Sequence, residues 1–64
     1  MENYIIVDGM ENYYGEEVAI MANKEETEFR LAFESEIDRE EFGARVFDSW
    51  ERATNLCYKL GYRW

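Results

Sequence analysis

Fifteen carboxylates and one thiol are the reactive side chains of this 64-residue chain, and histidine is absent. Paired carboxylates do acid–base work only when a sheltered cleft sets their protonation states apart. No Ser–Lys or Cys–His arrangement accompanies them, and a chain this short has little room for a pocket of the usual ~300 Å³ or more. The expectation is therefore a protein that is not an enzyme. Glu25, Glu26 and Glu28 crowd one polar stretch, but the alternating oxygen ligands and central glycine of a calcium loop are missing. Neither a metal nor any other cofactor is expected. Cys57, the single cysteine, excludes a disulfide within the chain. It falls on an apolar helical stripe with Lys59 two positions away, a spacing that does not bring side chains together. The expected state is a buried, inert thiol.

The charges are unevenly placed. The formal net charge is −8 at pH 7, from fifteen acids and seven bases. Residues 1 to 28 hold Glu2, Asp8, Glu11, Glu16, Glu17, Glu25, Glu26 and Glu28 against Lys24 alone. Residues 44 to 64 hold Arg45, Arg52, Lys59 and Arg63 against Asp48 and Glu51. With 47% hydrophobic residues this is an ordered acidic domain, not a disordered tail. Direct binding to nucleic acid or to anionic membranes is disfavoured, and either solubility or a cationic partner accounts for the charge. The run Ile5–Ile6–Val7 is too short for an export signal or a membrane span, so a cytoplasmic setting is expected.

The elements that position these groups follow from hydrophobic period. Phe42, Val46, Trp50, Ala53, Cys57 and Leu60 recur at steps of three and four, which predicts a long helix over 35–60. Ser35 and Asp38 are its candidate N-caps. Gly43 marks a kink or a close approach, and Asp48–Ser49 offers a start for a second helix instead. Glu41–Arg45 and Asp48–Arg52 stand at i,i+4 spacing and are expected to pair. Upstream, 1–7 reads as a strand, Asp8-Gly9 as a turn and 10–15 as a loop or an extended edge. Strands at 16–22 and 27–34 form a hairpin, with Phe29, Leu31 and Phe33 alternating against polar residues. The predicted fold is α+β: one domain over 1–64, a three-stranded antiparallel sheet in the order β-β-β-α, with one long C-terminal helix on one face. The expected core is Ile6, Val18, Ile20, Phe29, Leu31, Phe33, Phe42, Val46, Trp50, Ala53, Cys57 and Leu60. Such a small domain buries only about 60% of its unfolded surface, so oligomerisation is an open route to extra stability.

Acids at a helix start are explained by the helix dipole, whereas acids on the sheet and its turns are not. Five aromatic residues, Tyr13, Tyr14, Tyr58, Tyr62 and Trp64, exceed what a small core absorbs, and exposed rings beside acids are good binding anchors. In size, charge and layout the whole chain resembles the small acidic inhibitors carried by phages and mobile elements, the anti-CRISPR and anti-restriction DNA mimics. That resemblance implies an inhibitor placing carboxylates where a basic nucleic-acid-binding protein, such as an RNA-guided or restriction nuclease, expects phosphates. The expected contact residues are Glu11, Tyr13, Tyr14, Glu16, Glu17, Glu25, Glu26, Glu28, Glu34, Glu36, Glu40 and Glu41. The alternative is a self-associating or regulatory module, antitoxin-like or a homodimer, in which the helix and exposed aromatics make the contact and charge serves solubility.

Overall fold

Two asparagines close the hairpins from which the sheet is built. The computed structural model describes residues 3–64, so the expected strand start at Met1 and Glu2 lies outside the described residues. Strands β1 (Tyr4–Glu11), β2 (Glu17–Asn23) and β3 (Phe29–Phe33) form an antiparallel sheet in the order β1-β2-β3. At the first turn Asn12 Oδ1 accepts the N–H groups of Tyr14 and Glu16 at 3.0 and 2.9 Å, and Gly15 takes a φ of 81°. An asparagine side chain reproduces a backbone turn in this way, and glycine supplies the positive φ without a Cβ clash. At the second turn Asn23 Oδ1 accepts the N–H groups of Thr27 and Glu28 at 2.9 and 3.0 Å.

The expected turn at Asp8-Gly9 is instead part of β1, which continues through Met10 and Glu11, the extended reading of that stretch, before the chain turns at 12–16. The register of β1 against β2 shifts between Ile6 and Asp8, a β-bulge. Asp8 Oδ1 accepts the Gly9 N–H at 2.8 Å, and a Cβ on Gly9 would stand 3.3 Å from the Val18 carbonyl oxygen. Asp-Gly here kinks a strand where two backbones approach closely.

Alternation then assigns the two faces of the sheet. Met10, Val18, Ile20, Ala22, Phe29, Leu31 and Phe33 are buried on one face. Their cross-strand partners Met10↔Val18↔Phe33, Ile20↔Leu31 and Ala22↔Phe29 agree with that. Gly9, Ala19, Ala32, Ile6, Met21 and Arg30 share the other face. The helices cover only the first.

Two helices replace the expected long one: α1 (Glu36–Phe42) and α2 (Trp50–Lys59). Ser35 caps α1 by accepting the Asp38 N–H, and Ser49 caps α2 by accepting the Arg52 N–H at 3.1 Å. The interruption has a tertiary cause. Phe47 leaves helical geometry to pair with Phe29 on the edge of β3, through two backbone bonds of 2.8 Å, and buries its ring. The apolar period runs on through this break, which is why sequence alone joins the two helices.

The core changes accordingly. Val46 lies in the connection and is exposed, Ile6 is 70% exposed on the open face, and Trp50 is 39% exposed. Phe42 and Leu60 pack only partly buried against the core. Their places are taken by Met10, Ala22, Phe47 and Tyr62. Trp64 stacks on Trp50, at the start of α2, at 5.9 Å. Arg63 bridges to Glu11 through two backbone bonds of 2.8 and 2.9 Å, so the last turn of chain extends the sheet beside β1.

Gly43 provides a check on this break. Helix propensity alone favours alanine there by about 1 kcal/mol. A Cβ on Gly43 would, however, lie 2.4 Å from the Arg39 carbonyl oxygen. Gly43→Ala is therefore expected to lower the urea midpoint, by about 1–3 kcal/mol in stability. A raised midpoint would show that the helix continues past this residue.

Candidate functional site

The acids of β1, β2 and the residue after β3 meet in one row at one end of the open face. Glu11 stands directly opposite Glu17. Glu34 joins them: its N–H donates to the Glu17 carbonyl at 2.9 Å, while its own Oε1 accepts the Glu17 N–H at 2.6 Å. Like charges directly opposite on a sheet are destabilising. No base within the described residues forms an ion pair with this row, where the sole ion pair is Arg52–Asp48 at 3.6 Å.

Beside the row lies a hollow of about 290 Å³. Gly9, Ala19 and Ala32 make its floor, Ile6 one wall, and Glu17 and Glu34 another. Small residues on three adjacent strands leave the depression, because nothing longer than a methyl group rises from the middle of the sheet. A lysine or arginine side chain suits such a place: its apolar stem lies on the floor and its charged head meets the carboxylates.

The twelve expected contact residues are thus divided. Glu11, Glu17 and Glu34 come together, with Tyr13 and Tyr14 at the adjoining turn, 95% and 83% exposed and edge-to-face at 5.8 Å. Glu36 opens α1 at the same end. Glu16 belongs to this turn but is half-buried and held by Asn12 Nδ2 at 3.0 Å. Glu40 and Glu41 lie farther along α1. Glu25, Glu26 and Glu28 sit at the opposite end of β2, roughly 20 Å away at a rise of about 3.3 Å per residue. Glu28 is there committed to the Tyr4 hydroxyl at 2.9 Å.

Sequence reading missed the small-residue floor. Its signal was one small residue on each strand, Gly9, Ala19 and Ala32, legible as a row only once the two hairpin turns set the register.

The bases gather elsewhere. Arg45, Arg52 and Lys59 line a groove of about 520 Å³ along α2 and the preceding connection. The Asp48–Arg52 pair forms as expected. Glu41–Arg45 does not, because Arg45 has left the helix and lies over the Phe42 ring at 5.3 Å. Among the described residues no group of three His, Cys, Asp or Glu side chains is placed to hold a metal ion. None of the helices among them is long and apolar enough to cross a membrane.

The reactive-looking groups of the interior are structural. Tyr62, 0% exposed, donates its hydroxyl to Asp38 Oδ2 at 2.8 Å and packs on Phe33 at 5.7 Å. Burial, then the bond to Asp38, then the nearby carboxylates Asp38 and Glu16 hold its phenol well above the ordinary range. Burial and then the Asp38 charge push the Cys57 thiol from 9.0 up to about 11. Both groups are protonated in the fold and ionise more readily once unfolded. Their stabilisation is complete below pH 9 and is lost as pH rises through about 11 and beyond. The melting temperature is expected to hold level up to pH 9 and to fall steeply above it, and a level profile past pH 11 would contradict the burial of these groups.

Comparison of the chain with protein-family models, with curated proteins and with solved structures finds no match in any of the three.

Proposed function

We propose that this protein binds a basic, nucleic-acid-binding protein through the acidic end of its open sheet face, and by occupying that partner's cationic groove keeps nucleic acid out. One observation supports the reading: three carboxylates in a row across adjacent strands, none with a counter-ion within the described residues, beside a hollow floored by small residues. Like-charged neighbours without a counter-ion raise the energy of the free protein, and a partner's lysines and arginines relieve it. Tyr13 and Tyr14 stand beside the row as aromatic anchors. In this role the protein acts as a DNA or RNA mimic, and a nuclease of bacterial defence is the class of target its size and charge suit.

Immobilised protein exposed to a bacterial lysate at low and at high salt tests the proposal. The retained protein should be basic, should bind nucleic acid on its own, and should be released as salt rises, because exposed charge contacts are screened within about 8 Å at physiological ionic strength. Retention that is indifferent to salt would argue for the apolar, self-associating alternative.

A further inference from the structure

We infer that the free edge of β3 is a self-pairing surface, on which a second copy of this chain adds its own β3 antiparallel to form a continuous six-stranded sheet. The edge is open and its hydrogen-bonding groups are identifiable. Phe29 exchanges two backbone bonds outward with Phe47, and Glu34 donates inward to Glu17. Strand alternation then points the N–H and C=O groups of Leu31 and Phe33 away from β2. Among the described residues no backbone bond from a turn, loop or cap reaches them. Their side chains are buried, yet both residues line a groove of about 510 Å³ that runs beside the strand between the open sheet face and α1. Gly43 and Ala44 form the far bank, small enough to admit a backbone.

The occupant is argued from charge and register. An antiparallel pair of β3 strands centred on Ala32 places Leu31 opposite Phe33 of the other copy, so the outward groups of both satisfy each other. It places Ala32 opposite Ala32, where the two-fold axis passes and only methyl groups meet. It also places Arg30 opposite Glu34 of the other copy, twice, on the open face. These are pairs of the non-hydrogen-bonded kind, where side chains come closest. Arg30 forms no ion pair within its own described chain; its guanidinium lies 5.7 Å over the Tyr4 ring. Phe47 closes the edge at Phe29, and Ser35 turns the chain into α1, so each copy remains extended over just the residues 30–34 that this register uses. The same patch serves both copies, the condition for a closed two-fold dimer. An acidic peptide from another protein would meet Arg30 but not reproduce the reciprocal pairing.

Sedimentation across a concentration series, with charge-swapped variants, tests this. The wild-type protein should pass from monomer to dimer, and the Leu31 and Phe33 amides should gain hydrogen-exchange protection with it. Arg30→Glu and Glu34→Arg, each putting like charges opposite one another twice, should weaken the dimer roughly 10- to 100-fold. The double swap Arg30→Glu/Glu34→Arg should restore it. Because Glu34 also accepts the Glu17 N–H, Glu34→Gln serves as a second variant that keeps the acceptor, and it should weaken the dimer less than reversal does. A chain that stays monomeric at every concentration overturns the inference. So does a dimer that ignores the single reversals, or one lost in Ile6→Lys with Arg30 and Glu34 intact, which would place the contact on β1.

Discussion

Tyr62→Ala is expected to cost this protein about a third or more of its stability. Tyr62 is the largest of its fully buried side chains. Its ring packs on Phe33, and its hydroxyl ties the end of the chain to Asp38 on α1. Removing a buried aromatic ring costs about 3–5 kcal/mol. A chain of 64 residues has roughly 3–10 kcal/mol of stability to lose, so the loss takes from about a third to all of it. Tyr62→Phe keeps the ring and removes only the hydroxyl, and its expected cost is about 0.5–1.5 kcal/mol. Trp50→Ala, by contrast, should leave a folded protein, since Trp50 is partly exposed and caps the core from outside. Circular dichroism melts of the three variants rank these side chains. If Trp50→Ala proves the most damaging, the interior has been assigned to the wrong ring.

Reversing the acidic row is expected to move binding and stability in opposite directions. In Glu11→Lys and in Glu17→Lys, made one at a time, the lysine faces a glutamate across β1 and β2 instead of a like charge. Each single reversal should therefore raise stability, by a few tenths to about 1 kcal/mol. The same reversal puts a positive charge into the partner's cationic groove and should weaken the complex on the order of 10- to 1,000-fold, the range of a charge pair turned to repulsion at an interface. Glu25→Lys/Glu26→Lys, at the far end of the sheet, should change affinity far less. This asymmetry separates a gripping surface from charge that merely keeps the protein dispersed, for which every reversal would count alike. Calorimetric titration of the captured partner, with thermal melts of the same variants, reads both quantities.

Much of the scaffold was legible because its signals are local. The alternation at Phe29, Leu31 and Phe33 reports a half-buried strand directly. Ser35 and Ser49 mark helix starts by chemistry that needs no tertiary context. What was illegible depends on contacts between distant segments. Phe47 forsakes the helix only because the edge of β3 is there to pair with it. Tyr62 looks like a frayed tail until Asp38, twenty-four residues earlier, supplies an acceptor for its hydroxyl. The strand from Tyr4 to Glu11 hides behind an Asp-Gly pair whose usual meaning is a turn. For the acidic site, composition revealed an excess of carboxylates but not their division between two ends of the sheet. That division follows from the turn at Asn12, which sets Glu11 opposite Glu17, and from the length of β2, which carries the chain to the other end of the sheet before Glu25.

Whether the protein and nucleic acid exclude one another on the captured partner is the most direct measure of the proposed role. A labelled oligonucleotide is bound to the partner, and the protein is titrated in at constant salt. Mimicry requires the oligonucleotide to be released in full as the complex forms, and requires the Glu17→Lys variant to release little of it. A stable ternary complex, with the oligonucleotide still bound when the protein saturates the partner, would contradict it.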